Sequence, residues 1–305
     1  MMHKENLCIM TSPLPPLSAI RVFESASRHA SFTRAAEELG MTQAAVSYQI
    51  KLLEERVGAP LFLRKPRQVE LTELGKRLAP AINDAFETML AAFASAREDT
   101  QGVLTISAVV TFAANWLVQR LGSFQMRHPA LAVRLDTSND MVDFATSNVD
   151  MAIRSGRGEW PGMISHELIK AQFSPMLSPT LMASVGGIKE PADLLRLRAV
   201  DPTDPWWKIW YKAAGIENPE IEGNAFSRYG AQHLEGRAAA AGQGVGILTP
   251  AFHAAELASG QLIQPFDLLC DDGQAYWLVY PKARKNMPKI RAFRDWILKE
   301  LSQEN

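Results

Sequence analysis

The chain has 305 residues, 47% of them hydrophobic, and a formal net charge of −1. That length and apolar content imply about two or three folding units, and the near-zero charge excludes a protein that is basic throughout, so any nucleic-acid contact must rest on a local field. Cys8 and Cys270 lie far apart in no metal-type spacing, the histidines are scattered without an i, i+4 pair, and no apolar run approaches the ~18 residues of a spanning helix. A disulfide framework, a metal site and a membrane partner are therefore not expected, and a reducing cytoplasm is.

Residues 1–16 form a ragged, proline-rich lead-in, expected to be disordered and without the continuous apolar core of a signal peptide. Met1, Met2 and Met10 are the candidate starts of the native protein; N-terminal sequencing that found Met1 or Met2 would refute Met10. The stretch 31–54 reads as two short helices around a glycine. Ser31 caps the first by accepting backbone N–H bonds, Ala35, Ala36 and Leu39 supply its apolar face, and Gly40 takes the turn that a Cβ would obstruct. Thr42 caps the second, in which Ala45, Val46, Ile50 and Leu53 form one buried stripe. Gln43, Ala44, Ser47, Tyr48 and Lys51 then face outward.

That outer face is short, polar and light in charge. Its amide and hydroxyl groups suit base edges in the major groove, and Ala44 permits close approach. The pattern is a helix-turn-helix, with Thr33, Thr42 and the five outward residues as candidate contacts to double-stranded DNA. A plain helical hairpin would share the pattern, so the flanking sequence decides. It continues as an extended, Gly- and Pro-punctuated segment over 56–72 that carries Arg64, Lys65 and Arg67. This reads as a β-wing whose cations sit near phosphates and position the protein without reading sequence.

Leu71, Leu74, Leu78, Ala81, Ala85, Met89, Ala92 and Ala96 recur at near-heptad spacing, which implies a long helix with one narrow apolar seam, bent locally at Pro80. The seam packs either onto its own domain or onto the same helix of a second copy. In the second case two recognition helices share one side of a duplex, with half-sites about one turn, roughly 34 Å, or a multiple of it apart.

From Gly102 the texture changes. Strands are expected at 103–110, 132–136, 149–154, 165–169, 174–177, 220–226, 245–248 and 276–280, alternating with helices near 114–126, 141–147, 192–197, 206–214, 231–241, 250–259 and 289–302. This is the signature of parallel α/β layers. Open sheets of that class bind ligands beyond the carboxyl ends of their strands, where helix N-termini offer free N–H donors. Thr111, Phe112, Asn139, Asp201, Thr203, Trp206, Ser227 and Tyr229 stand at such ends and define a candidate effector site, although each alone is also explained as a cap or core contact. Arg154 belongs with them unless it is tied to Asp150 or Asp143. Trp207 and Trp210, at i, i+3, read as the buried side of one helix more readily than as a pocket wall. In Gly242-x-Gly244-x-Gly246 the third glycine is misplaced for a dinucleotide fingerprint, Ile247 holding its position, so the segment reads as a turn before a strand. No phosphate-binding loop, nucleophile elbow or base beside a nucleophile is present in the sequence. Neither enzymatic activity nor a cofactor is expected.

The order Phe23-Glu-Ser-Ala, Ser31-Phe-Thr-x-Ala-Ala-Glu-x-Leu, Gln43-Ala-Ala-Val-Ser47, Ile50-x-x-Leu-Glu54, Gly58-x-x-Leu-Phe-x-Arg64 and Leu71-Thr-x-x-Gly75 closely resembles the winged helix-turn-helix domain of LysR-type transcriptional regulators. Phe124-x-x-x-His128-Pro129, Val149-Asp-Met-Ala-Ile-Arg154 and Phe293-Arg-Asp-Trp-Ile297 agree. The form Asp150-Met-Ala-Ile-Arg-x-Gly-x-Gly-x-Trp160, with Trp207-x-x-Trp210 and Tyr280-Pro-Lys-Ala-Arg284, is most similar to the branch of glycine-cleavage activators and β-lactamase regulators.

The resemblance implies a bacterial homodimer or homotetramer that also meets RNA polymerase. It implies a winged helix-turn-helix over 17–70, a linker helix over 71–98, and a two-lobed, periplasmic-binding-protein-like α/β effector domain over 102–305. Lobe I would comprise 102–170 and 268–305 and lobe II 171–267, with crossings near 170–175 and 264–267. In the family the position matching Thr111 holds a carboxylate, and the branch points to a small amino acid, purine-like or peptidic effector. A transport-type binding protein or an α/β enzyme would share the second half of the chain, but neither has a use for residues 31–67.

Overall fold

The computed structural model describes residues 14–65, 68–96, 102–223 and 229–303, with side chains described at all of these except 64, 65, 68, 91 and 94–96. The expectations for residues 1–13 (including the start at Met10, His3 and Cys8), for Arg67 and for Ser227 lie outside the described residues. Two compact units divide the chain, one comprising Met1–Phe93 with Ala145–Ser147 and the other Ala94–Phe144 with Asn148–Asn305.

In the first unit α1 (Leu17–His29), α2 (Phe32–Leu39) and α3 (Gln43–Val57) are followed by β1 (Phe62–Lys65), β2 (Gln68–Leu71) and α4 (Glu73–Ala96). The helices close on a core of Val22, Phe23, Ala26, Phe32, Val46, Ile50 and Leu53. Phe62 extends that core to the wing, its ring meeting Phe23 at 5.5 Å and Phe32 edge-on at 5.2 Å. β1 and β2 pair antiparallel, Phe62 opposite Leu71. Their root is fixed by the end of α3, where the Glu54 carboxylate accepts the N–H groups of Leu61 at 2.7 Å and Phe62 at 3.1 Å. Gly75 is required at the start of α4, since a Cβ there would run into the Leu61 carbonyl oxygen.

The seam along α4 divides. Leu71, Leu74, Leu78, Ala79 and Ile82 pack onto this unit's own core, whereas Met89, Leu90 and Phe93 are exposed. Pro80 lies inside the helix on its exposed side.

The second unit is built on β3 (Gly102–Ala108), β4 (Leu131–Thr137), β5 (Met151–Gly156), β6 (Met163–Lys170) and β9 (Ala275–Pro281), in the order β4-β3-β5-β9-β6. β3 runs parallel to β4 and β5, and β9 lies antiparallel between β5 and β6. The sheet is therefore mixed, because β9 enters from the return crossing. The first strand ends sooner than expected. Val109 turns to donate its N–H to the Ile153 carbonyl, and helix begins at α5 (Val110–Phe112), continuing through a π-helical turn (Ala113–Leu117) into α6 (Val118–Arg127). These helices and α11 (Pro288–Ser302) bury Phe112, Trp116, Phe124, Phe293 and Trp296 against the sheet. Asp150, only 7% exposed, accepts the Thr105 N–H at 2.9 Å and holds the Lys289 ammonium at 2.7 Å.

Two segments leave and re-enter this sheet side by side. Phe173 exchanges N–H bonds with Cys270, Leu177 does so with Ile263, and the Ala171 N–H donates to the Gln274 carbonyl. Beyond them β7 (Ser174–Met176) pairs antiparallel with β8 (Gly246–Leu248), and Ala199 lies parallel to Val245. The short helix α7 (Pro179–Ser184) is followed by α8 (Trp206–Ala213), whose Trp207, Trp210 and Tyr211 are buried in the core here, as their spacing implied. α9 (Gln232–Ala240) and α10 (Ala254–Ala258) complete the unit. Gly242 to Gly246 turn into β8 as expected.

Four local expectations fail. Residues 141–147 are bends and turns without a helix, and 220–223 form no strand, although the Glu222 carbonyl accepts the Ala199 N–H. The remainder of that expected strand, 224–226, lies outside the described residues. Residues 191–196 form a 3-10 helix, and 250–259 split at His253 into a 3-10 turn and α10.

Candidate functional site

In the first unit the candidate DNA face is positioned by its caps. Ser31 Oγ accepts the Arg34 N–H at 3.3 Å, Thr42 Oγ1 accepts the Ala45 N–H at 3.2 Å, and Gly40 sits at φ 63° between the two helices. With Val46 and Ile50 wholly buried, α3 cannot rotate, so Gln43, Ala44, Tyr48 and Lys51 are held outward; Ser47 is half-buried beside them. Tyr48 is 65% exposed. Thr33 stands exposed on α2, and Thr42 keeps its capping role. Among the described residues Lys51 has only a long, exposed pairing with Glu55 at 3.8 Å. Arg64 and Lys65 end β1. Arg28, paired within α1 to Glu24 at 2.9 Å, ties α1 to α2 through Glu38 at 2.6 Å, and His29 also bonds Glu38. The hydrogen bond that Arg28 donates to Glu24, with the neighbouring carboxylates, raises the Arg28 guanidinium above its usual range.

In the second unit Thr111 sits, 6% exposed, in the first helical turn after β3. Phe112 is wholly buried against Trp116, Phe252 and Tyr276, which leaves its backbone alone for any ligand. α5 lies beside α9. Asp201 follows the extended 199–200 segment, and its Oδ1 accepts both the N–H and the hydroxyl of Thr203, at 2.8 and 2.7 Å. Trp206 stacks on Phe173 with centroids 4.3 Å apart, donates its backbone N–H to Asp204 at 2.8 Å and donates its indole N–H to Asp272 at 3.0 Å.

Thr111 and Phe112 thus share one helix start, and Asp201, Thr203 and Trp206 share one corner. The Tyr229 hydroxyl donates to Gln243 at 3.3 Å, and with Arg198, Val200 and Gly242 it lines a cavity of about 390 Å³ that none of the other described candidates lines. Asn139 is exposed in the loop after β4. Arg154 is paired with neither Asp150 nor Asp143: buried, it donates to the Ser107 carbonyl and hydroxyl and to the Ile153 and Asp140 carbonyls.

The sequence reading passed over Asp204, Glu235, Asp272 and Tyr276. Burial, with Asp201 and Asp272 nearby, raises the Asp204 carboxyl. Burial first, then Asp204 and Asp201, pushes Glu235 up to about 7. No sequence signal marks Glu235, a charged residue in a helix of weak amphipathic pattern; only the packing of α9 buries it. Tyr276 looks in sequence like one more aromatic strand residue, and its place against Phe112 emerges only from the β5–β9 pairing. Among the described residues no group of acidic, histidine or cysteine side chains could hold a metal ion.

Residues 17–76 match the family described as bacterial regulatory helix-turn-helix protein, lysR family, and residues 97–302 match the LysR substrate binding domain. The chain is 40% identical to the HTH-type transcriptional activator AmpR of Pseudomonas aeruginosa, with 97% of this chain and 99% of that protein covered. It is 36% identical to the glycine cleavage system transcriptional activator of Escherichia coli (strain K12), with 97% of each covered. The solved effector domain of Pseudomonas aeruginosa AmpR is similar to it with a TM-score of 0.57 at 33% identity, over 67% of this chain and 96% of that one. CrgA, a LysR-type transcriptional regulator from Neisseria meningitidis, gives a TM-score of 0.57 at 26% identity over 93% of this chain and 98% of its own. A capped helix-turn-helix followed on one chain by an α/β sensor, with both parts matched, is no enzyme: the protein belongs to the LysR family of transcriptional regulators, with a helix-turn-helix DNA-binding domain and an effector-binding domain.

Proposed function

We propose that α3 enters the major groove of an operator, with Gln43, Ala44, Ser47, Tyr48 and Lys51 toward the bases and Thr33, Thr42, Arg64, Lys65 and Arg67 toward the backbone. The observation that carries this is the exposed polar face of α3 above the fully buried Val46 and Ile50. Two or four copies act together, and the exposed Met89, Leu90 and Phe93 of α4 support pairing along that helix. The effector is held between lobe I (102–170 with 268–305) and lobe II (171–267), hinged at the paired 171–177 and 263–274 segments. Thr111, the Phe112 backbone, Asn139, Asp201, Thr203, Trp206, Ser227 and Tyr229 are its candidate contacts. Ligand closure of the lobes shifts the packing of subunits and with it the spacing of recognition helices, which requires unequal effector affinity in the two states. The setting is the bacterial cytoplasm, and RNA polymerase is the onward partner.

Thr111→Val tests the effector half. The variant is expected to bind operator DNA as tightly as the wild type and to lose the change in binding that a metabolite extract produces. An undiminished response in a gel-shift titration removes Thr111 from the site.

A further inference from the structure

The cavity of about 390 Å³ in the second unit, lined by Arg198, Val200, Tyr229, Gly242 and Gln243, is held by two backbone frames. Arg198 and Val200 belong to one extended segment. It is fixed because the Arg198 carbonyl accepts the Val245 N–H and the Val200 N–H donates to the Val245 carbonyl, both at 2.9 Å. Ala199 between them is buried in the core, so Arg198 and Val200 project from the other side of the segment, against the cavity. Gly242 and Gln243 form the turn that ends α9. Gly242 sits at φ 76°, a left-handed position that suits glycine. Its N–H donates to the Ala239 carbonyl and the Gln243 N–H to the Ala238 carbonyl, both at 3.0 Å, the pair of bonds that stops a helix.

The lining donates hydrogen bonds and carries one positive charge. Arg198 is exposed and makes no hydrogen bond or ion pair with any described residue. The nearest acid in sequence, Asp201, gives its Oδ1 to Thr203, and among the described residues no carboxylate lines the cavity. Gln243 accepts the Tyr229 hydroxyl through its amide oxygen, which leaves the two amide N–H donors without a described partner. The end of α9 does not offset this, because the carbonyls of Arg237, Ala238 and Ala239 are already taken by the N–H groups of Ala241, Gln243 and Gly242. A planar guanidinium with five donors, beside a free amide NH₂, suits a planar oxyanion.

We propose that this cavity is a second ligand site, which takes a small organic carboxylate. Arg198 pairs with the carboxylate, and the Gln243 amide and Tyr229 hydroxyl bond a polar group beside it. One full positive charge matches a monoanion, and the guanidinium fork matches its two oxygens. An exposed guanidinium alone gains little from a carboxylate. Enclosure with Gln243 and Tyr229 is what favours a carboxylate with a polar neighbour over a simple salt ion. The site is independent of the effector reading at Thr111 and shares only Tyr229 with it. A ligand held there joins the 198–200 segment to the end of α9 and gives the regulator a second chemical input.

The test is a thermal-stability screen of the full chain at pH 7.5 and constant ionic strength, in a buffer free of carboxylate and phosphate. The probes are acetate, glycolate, lactate and N-acetylglycine, the primary amide of each, and inorganic phosphate. At least one carboxylate is expected to raise Tm and its amide not to. Arg198→Gln is expected to weaken that carboxylate about 10-fold or more, as befits the loss of hydrogen bonds to a charged group. Arg198→Lys, which keeps the charge but not the fork, is expected to weaken it less. Both variants should melt as the wild type does without ligand, since the side chain is exposed and has no described partner. Thr111→Val is expected to keep the shift.

Equal shifts from carboxylates and their amides, a shift from phosphate alone, or no shift from any carboxylate would each overturn the carboxylate assignment. So would a carboxylate shift that Arg198→Gln leaves undiminished. If such a shift is lost in Thr111→Val instead, the carboxylate belongs to the effector site, and that reading stands while the second site falls.

Discussion

Gln43→Ala is expected to weaken binding to the operator by about 10- to 100-fold while leaving binding to random DNA unchanged, since a well-placed side-chain amide on a base edge is worth about 1–3 kcal/mol. The residue opens α3 on its exposed side, clear of the core that Val46, Ile50 and Leu53 build. Its replacement should therefore move stability by no more than about 0.5 kcal/mol, which separates recognition from folding. Ser47→Ala has the same direction and a smaller size, because a half-buried hydroxyl reaches less far. Arg64→Ala is the contrast: without a guanidinium to neutralise a phosphate, the protein binds every sequence more weakly by the same factor, and the slope of log affinity against log salt becomes shallower by about 1. Fluorescence anisotropy on operator and scrambled duplexes at several salt concentrations reads both quantities. Equal weakening on both duplexes by Gln43→Ala and Arg64→Ala would contradict this division between reading and positioning.

Asp150→Ala is expected to destabilise the second unit by about 3–5 kcal/mol, the penalty for breaking a buried pair while one charge stays behind. Asp150 receives the Thr105 N–H as well as the Lys289 ammonium, so removing it orphans a strand donor and strands a half-buried cation. It also loosens α11 from β3, since Lys289 reaches the Val103 carbonyl beside it. Urea unfolding followed by tryptophan fluorescence isolates this unit, because all seven tryptophans lie at Trp116 or beyond. The midpoint should drop steeply with operator-domain helicity retained at low urea. A shift below about 1 kcal/mol would mean that the pair contributes little.

The helix-turn-helix was legible in sequence because each of its parts is local: a cap, a glycine turn and a buried stripe all lie within residues 31–54, and Ser31, Gly40 and Thr42 act in the structure as their types require. The α/β alternation was legible for the same reason. What was not legible depends on tertiary partners. The direction of β9 is set by where the return crossing enters the sheet. The alternation of apolar residues in β3 says nothing of the turn at Val109, which is fixed by the Ile153 carbonyl. The seam of α4 shows the limit most clearly. Its spacing is uniform, but Leu74 and Leu78 are consumed by the unit's own core while Met89 is left exposed. In the candidate effector site, side chains at strand ends could be named, but which of them were already spent on neighbours could not. Thr203 satisfies Asp201, Trp206 is stacked on Phe173, and the buried carboxylate of Glu235 belongs to a helix that gave no sign of it.

The most direct measurement is selection of genomic fragments by the purified full chain, with and without cellular metabolites, followed by footprinting of what is retained. The expected result is a small set of fragments, each protected at two half-sites spaced by a whole number of helical turns, whose pattern changes when metabolites are added. Retention no greater than that of random competitor DNA in both conditions would contradict a groove-reading, effector-responsive regulator.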